Sequence, residues 1–518
     1  MFLKKILLLP EHQLQKLITL AAVLIACQVI GIQHGWINDD SVLYFEMAKL
    51  FSIGEFKQGL SLFNWPLYPA LISAVHVLTQ LSIQRSAQIL DVVFFGFTAY
   101  SFINLIRLAG GNQLTMLCGG FLLLSSPYIV GDVLPMLLRD QGFWATFLAS
   151  LVYFIQYYRH KKLSDALLWQ VCIMLCVLFR IEAITFLTGL PLILLLQAKL
   201  SFKQRLIDFT QANLLSIVAL FLIVSALIIL PNVHLNNFGR LQETIAIFPR
   251  LLGDIAQNFN AKTKLMSEEI LGHSFADFDM LGVVISFASI LIFKSINLIT
   301  LPVAGLFALN HFTPPNKQLI QTDAHHILFW SCVLACVNAG VIMASVFILS
   351  GRYIIVLGLL LLIFAAFHLA TLIEKLQTKQ VGKPWQRIGF FMLVLLIALF
   401  AIKNVWPKRA GYNFEQEAVA YLKQQQVAND KVFFVTPRSR HFAGAPFAGR
   451  GYEYWDYTEQ AIANGSIYQY EYLAINLDID KQFAARKKVL DEKLPQYKLI
   501  KEFYGLRASK KMMLFQKK

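Results

Sequence analysis

Apolar runs of about twenty residues recur along most of the chain, the length a helix needs to cross a bilayer. They lie at 14–32, 87–106, 113–131, 141–158, 163–180, 183–198, 210–231, 279–312, 327–349, 353–373 and 389–406. This pattern predicts an α-helical polytopic membrane protein with about eleven spans, in a range of roughly ten to thirteen. The stretch 279–312 carries Lys294 in its middle and is long for one helix. It reads as one tilted span preceded by a surface helix, or as two spans. Residues 66–83 are also apolar and helical, and charge decides whether they cross.

Hydropathy falls after Trp406, and the pattern changes with it. Residues 407–518 predict a small α/β domain set outside the membrane. Helices are expected at Phe414–Gln426 and Lys481–Leu494, and strands at Val432–Val435, Tyr472–Asn476, Tyr497–Phe503 and Met512–Gln516. The expected division is therefore 1–406, a membrane domain with large outer segments at 33–83 and 232–278, and 407–518.

Composition agrees with the pattern. Of 518 residues, 57% are hydrophobic and only 15% are charged, against about 25% in soluble domains. The net charge of +15 would suggest nucleic acid in a soluble protein. Here the cations gather in short segments between apolar runs, which is a topology signal, and nucleic acid is excluded as a partner. Those segments are Lys4/Lys5/Lys16, Arg159/Lys161/Lys162, Lys199/Lys203/Arg205 and Lys375/Lys379/Lys383/Arg387. All four fall on the cytoplasmic side only if 66–83 does not cross. That segment then lies at the outer surface, with Trp65 as an interfacial anchor and Pro66 in its first turn. The N-terminus is inside and the C-terminal domain outside. The first apolar run lacks a small-residue cleavage site and reads as a retained helix. The six cysteines all sit in apolar runs and read as small packing residues.

Charge at the mouths of spans is costly and needs a reason. Asp39 and Asp40 close the first run and open a helix expected at Ser41–Ile53, with Glu46 following. One acid would suffice to cap that helix; two leave more to explain. Asp40, Tyr44 and Met47 share one helix face, and Asp39, Leu43 and Glu46 another. Asp140 starts a span on the same outer side. Arg180 and Glu182 lie at a turn between spans there, and Arg352 in Ser350-Gly351-Arg352-Tyr353 begins another. A guanidinium fork suits phosphate oxygens, which makes Arg180 and Arg352 the main phosphate-holding candidates and Arg139 and Lys57 weaker ones. In the tail, Arg438-Ser-Arg440-His441 and Tyr452-Glu-Tyr454-Trp455 read as packing against the surface of the membrane domain, with contact to acceptor or headgroups as the alternative.

A carboxylate that accepts a proton, cations that stabilise a departing phosphate, and a helix bundle with room for a lipid tail describe one chemistry. It is transfer of a sugar from a polyprenyl-phosphate carrier to an acceptor. By analogy with glycoside hydrolysis, a base without a covalent nucleophile inverts the anomeric centre. Two rivals are a transporter or flippase for a lipid-linked sugar and a non-catalytic scaffold. The first predicts acids at the bilayer midplane rather than at helix mouths. The second does not require the charged residues to converge.

At Asp40-Ser-Val-Leu-Tyr44, Pro66-Leu-Tyr68-Pro69, Ser126-Pro127 before Asp140, Arg180-x-Glu182 and Arg352-Tyr353, the chain resembles the GT-C superfamily of membrane glycosyltransferases. It is most similar to the bacterial branch of protein mannosyltransferases and the lipid A aminoarabinose transferase. The resemblance covers the whole length. It implies a bacterial inner-membrane enzyme with a periplasmic C-terminal domain, a polyprenyl-phosphate sugar donor (hexosyl or pentosyl) and a lipid, glycan or protein acceptor. It maps the essential first-loop acid to Asp40, counting four back from Tyr44, with Asp39 as neighbour; a one-residue shift would exchange them. The second acid maps to Asp140. A divalent cation is possible, held by Asp39, Asp40 or Asp140. Tyr44, Glu46, Lys57, Tyr68, Arg139, Arg180, Glu182, Arg352 and Tyr353 are the expected substrate-binding set.

Overall fold

The computed structural model describes residues 7–33, 37–229, 253, 255–311, 323–378, 384–407, 411, 413–449 and 454–518. Lys4, Lys5, Lys379, Lys383, Tyr452 and residues 232–252 of the second outer segment lie outside them.

Among the described residues, six helices are long and apolar enough to cross a bilayer: Glu11–Ile32, Ile83–Leu108, Asp279–Ile299, Asp323–Ser345, Ile355–Gln377 and Pro384–Val405. Two bent pairs raise the number to eight: Gln113–Ser125 with Pro127–Met136, and Phe202–Ala212 with Leu214–Ile229. The expected eleven are not reached, and local breaks explain part of the difference. The run 183–198 splits into Ile184–Gly189 and Leu192–Leu195, around Pro191, which has no N–H to continue a helix. The run 279–312 splits at Thr300, whose φ is +78°, into Asp279–Ile299 and Leu301–His311. Eleven residues make a helix of about 16 Å, too short for a hydrocarbon core of about 30 Å. The run 141–158 is a continuous helix, Asp140–His160, less apolar because Gln141, Gln156 and several tyrosines interrupt it. The segment 66–83 forms Leu67–Thr79, 13 residues and about 20 Å, again too short to cross. Trp65 is only 5% exposed; it is a packing residue and not an interfacial anchor.

The chain divides into two compact units. One comprises Met1–Ala26, Val92–Gly131 and Arg139–Asn404. At its centre is Ile355–Gln377, buried over 83% of its apolar window. Asp279–Ile299 and Pro384–Val405 are buried over only 17% and expose Phe293 and Leu399, as helices facing lipid do. Asp140–His160 and Leu163–Phe179 form a tight hairpin through Lys161, whose φ is +54°. At its open end a Cβ on Gly142 would lie 2.4 Å from the Phe179 ring. Glycine therefore sets how closely the start of one helix meets the end of the next.

The other unit comprises Cys27–Asp91, Asp132–Leu138 and Val405–Lys518. Its strands are β1 (Val432–Phe434), β2 (Tyr472–Asp478), β3 (Tyr497–Tyr504) and β4 (Lys510–Lys517). They form one sheet in the order β1-β2-β4-β3. β1 and β2 are parallel; β2 with β4 and β4 with β3 are antiparallel. The central β2 and β4 are apolar on both faces because a cluster packs on each side. Leu473, Ile475 and Met513 face one cluster, and Ala474, Met512 and Leu514 the other. The edge strand β3 carries Lys498 and Lys501, exposed and charged, which discourages further pairing. The expected helices fall at Asn413–Gln424 and Phe483–Lys493. Two more, Pro437–Ala443 and Tyr454–Ala463, were not foreseen. In the same unit, the helix Asp39–Ser52 packs on Leu67–Thr79, with Tyr44 edge-on to Tyr68 at 5.4 Å.

The Gly142 contact yields a test of the hairpin. Gly142→Val should lower stability by about 1–3 kcal/mol through overpacking, read as a drop in Tm of the purified protein in detergent. An unchanged Tm would mean that the helices do not meet there.

Candidate functional site

The expected site residues fall into two polar clusters, one in each unit. The first forms on the helix Asp39–Ser52. Its N-cap is Asn38, whose side chain accepts from the Asp40 N–H at 3.0 Å, while the Ser41 hydroxyl accepts from the Asn38 N–H at 3.2 Å. The capping role once open to the acids is thus filled, and Asp39 and Asp40 occupy the first helical turn, where the helix dipole favours negative charge. Ser41 also donates to the Met136 carbonyl.

Asp39 is 11% exposed and its Oδ2 makes an ion pair with Arg438 Nη1 at 2.8 Å. The Tyr454 hydroxyl donates to the same oxygen. Arg438 is 2% exposed, and its Nη2 holds Glu415, fully buried, at 2.6 Å. Thr436 donates to the other Glu415 oxygen at 2.6 Å and caps the helix Pro437–Ala443, which carries Arg438. One guanidinium therefore serves two buried carboxylates. Burial pushes the Asp39 carboxyl above its usual range; Arg438 and the Tyr454 hydroxyl pull downward without cancelling that effect. Asp40, beside it, is half-buried.

Two of the tail residues read as surface packing, Arg438 and Tyr454, are thus partners of Asp39. Arg438 and Tyr454 stood in motifs that sequence reading noticed and assigned elsewhere. Glu415 gave no signal, being one acid in an ordinary amphipathic helix.

The remaining expected members of this unit behave differently. Tyr44 and Tyr68 are 2% and 1% exposed. Tyr68 donates to Asp91, fully buried, at 2.8 Å. In this state both rings are core and neither faces a ligand. Glu46 lines a groove of about 200 Å³ with Lys49, Arg440 and His441. Lys57 is exposed on the short helix Phe56–Leu62.

The second cluster centres on Asp140, fully buried at the start of its helix. Arg180 Nη1 donates to Oδ1. Arg352 donates to Oδ2 through Nη2 at 2.8 Å and to Oδ1 through Nε at 3.3 Å. Arg180 also holds Glu182 through Nη2 at 2.9 Å, and its guanidinium lies over the rings of Tyr353 at 5.1 Å and Phe143 at 5.7 Å. Burial alone would raise Glu182; the charge and hydrogen bonds of Arg180 more than reverse this and bring it to about 2. Arg139, half-buried, occupies the N-cap position before Asp140. Five expected residues (Asp140, Arg180, Glu182, Arg352 and Tyr353) are brought together from three regions of the sequence.

Two features of backbone make this possible. Arg180 stands where the helix Leu163–Phe179 ends and a 3-10 turn begins. Arg352 lies in the turn Gly351–Tyr353, and a Cβ on Gly351 would meet the Tyr128 ring at 2.6 Å. The void lined by Arg180, Glu182, Arg352 and Tyr353 is about 10 Å³, room for one water at most. Arg180 is 4% exposed and Arg352 22%, so Arg352 is the guanidinium a ligand can reach.

Among the described residues no three His, Cys, Asp or Glu side chains converge on a metal position; Asp39 and Asp140 face guanidinium groups instead. All six cysteines are free.

No family model matches the chain, and no curated protein sequence matches it. Among solved structures, it is similar to the archaeal oligosaccharyltransferase AglB from Archaeoglobus fulgidus, in complex with an inhibitory peptide and a dolichol-phosphate. The likeness spans 96% of this chain and 74% of that one, with 10% identity and a TM-score of 0.47. A likeness at that level does not establish a shared fold.

Two outcomes test the Asp39 cluster. Arg438→Met leaves two buried carboxylates without their cation and should cost about 3–5 kcal/mol, seen as a large fall in Tm; a neutral result would remove Arg438 from the cluster. Because the folded-state pKa of Asp39 is raised, its contribution to stability is complete below about pH 4 and declines as pH rises through the folded value. The Tm of wild type relative to Asp39→Asn should therefore fall as pH rises toward neutrality. A relative Tm that climbs instead would reverse the assigned shift.

Proposed function

We propose that the chain is a GT-C-type membrane glycosyltransferase of the bacterial inner membrane, with residues 407–518 forming a periplasmic domain. It moves a sugar from a polyprenyl-phosphate donor to a lipid, glycan or protein acceptor. The observation that carries this reading is the assembly of Arg180 and Arg352 on Asp140 within a helical unit. A buried ionic network is weak support for stability, since apolar packing does as well or better. In a membrane protein such a network marks function by default, and the guanidinium of Arg352, the one a ligand can reach, suits a phosphate.

In this mechanism Asp40 accepts the proton from the acceptor hydroxyl or amine. The freed lone pair attacks the anomeric carbon, the bond from that carbon to the phosphate oxygen breaks, and the polyprenyl phosphate leaves with the electron pair. A single displacement inverts the anomeric centre. Arg352 holds the departing phosphate. Arg180, enclosed by Asp140 and Glu182, keeps the carboxylate that orients Arg352 in place. Asp39, fastened to Arg438 and Tyr454, fixes the first turn of the helix from which Asp40 projects.

The test compares membranes with and without the protein by mass spectrometry of glycolipids and glycoproteins. A mass increment of one sugar on a protein-dependent product is expected. Asp40→Asn should lower the transfer rate about 10²–10⁴-fold, and Arg352→Gln about 10²–10³-fold. Full transfer in both Asp40→Asn and Asp140→Asn would sink the assignment.

A further inference from the structure

β1 and β2 run parallel, so their carboxyl ends open at one edge of the sheet, where open α/β sheets place ligand crevices. From the end of β1 the chain passes through Thr436 to Arg438 and so to Asp39. At the end of β2 lies a cleft of about 430 Å³ whose lining includes Tyr454, Trp455, Asn476, Asp478, Arg486 and Lys510. That volume is in the range of small-molecule sites, roughly 300–1,000 Å³.

Three observations define what the cleft takes. First, Asn476 is 3% exposed. Its Nδ2 donates to the Glu415 carboxylate at 3.3 Å, which fixes the amide orientation because a carboxylate can only accept. Its Oδ1 is buried without a hydrogen-bond partner among the described residues, and so is the Nε of Arg486. They are one acceptor and one donor on two of the residues that line the cleft. Second, the cations are already compensated: Lys510 pairs with Asp478 at 3.3 Å and Arg486 with Asp480 at 3.2 Å. A phosphate or an acidic ligand would have to displace those carboxylates. Third, Trp455 and Tyr454 supply apolar surface beside these polar groups, with the Arg486 guanidinium 6.0 Å from the Trp455 ring. Aromatic surface beside paired donors and acceptors suits a molecule with C–H faces and many hydroxyls.

We propose that this cleft is a saccharide-binding subsite that holds a neutral sugar residue of a glycan acceptor. The proposal rests on the sugar-transfer reading and names the acceptor class for it. Tyr454 joins the two places: its side chain lines the cleft and its hydroxyl bonds Asp39. A sugar in the cleft therefore lies one side chain from the acid pair.

The experiment is calorimetric titration of the full chain in detergent with N,N′-diacetylchitobiose, maltotriose and, separately, inorganic phosphate. Saturable binding of at least one oligosaccharide is expected, with no heat and no competition from phosphate. Trp455→Ala should weaken that binding at least about tenfold. Because Trp455 also packs against the domain core, the double variant Asp478→Asn, Lys510→Gln is the control for folding. Both positions are well exposed, at 51% and 38%, and this variant should weaken binding while Tm is kept. Absence of oligosaccharide binding, binding equal to wild type in both variants, or displacement by phosphate would each overturn the proposal. Sugar transfer by wild-type membranes is assayed in parallel. Transfer without oligosaccharide binding overturns the subsite alone; binding without any transfer overturns the enzyme reading and leaves the subsite standing.

Discussion

A carboxylate removed from water must be given back the charge compensation that water supplied. Asp140 has no solvent exposure, and it recovers that compensation from two guanidinium groups. Much of the local architecture follows from this need. Arg180 must stand where a helix stops, so that its side chain can reach the start of the preceding helix. Gly142 must be small so that Phe179, next to Arg180, can approach. Gly351 must be small so that the turn carrying Arg352 can lie on Tyr128. Two glycines and a helix break are thus the steric counterparts of one buried charge.

The same requirement is met differently at Asp39. There a single guanidinium is divided between Asp39 and Glu415, and a tyrosine hydroxyl supplies part of the remainder. Asp140 has two guanidinium groups, one of them shared with Glu182. Asp39 has half of one and is held above its usual range by burial. The two acids are therefore held differently: one lies between two guanidinium groups, the other shares one with Glu415 and leans on a tyrosine hydroxyl. Asn38 makes this possible by taking over the capping duty, which releases the first-turn carboxylates from satisfying their own helix.

What could be read in the sequence depended on contrast. Asp140, Arg180 and Arg352 stood out because charge in apolar surroundings is rare, and the structure brings the three side chains together. Arg438 and Glu415 lie in a polar region where charge is common, so Arg438 was noticed only as a packing residue and Glu415 not at all, although both are deeply buried. Strands β2 and β4 were legible as unbroken apolar runs, because a sheet covered on both faces has no solvent side. The helix Tyr454–Ala463 was not foreseen, although Tyr454, Tyr457 and Ala461 recur at helical spacing. Among the described residues six to eight helices have the length and apolarity of a span, fewer than the eleven expected, and length and hydropathy do not register a single left-handed residue at Thr300 or a proline at 191. Tyr44 and Tyr68 were placed by resemblance and proved to be core, each the other's packing partner.

The bond between Tyr454 and Asp39 joins residues 415 positions apart. At about 5–20 residues per second, a ribosome needs roughly 20–80 s to get from one to the other. For that interval Asp39 lacks the Tyr454 hydroxyl, and for nearly all of it Arg438 as well. Any nascent chain that stalls before Arg438 carries the acid pair without its counter-charge. Asp39 therefore meets its two tail partners only after nearly all of the chain has been synthesised.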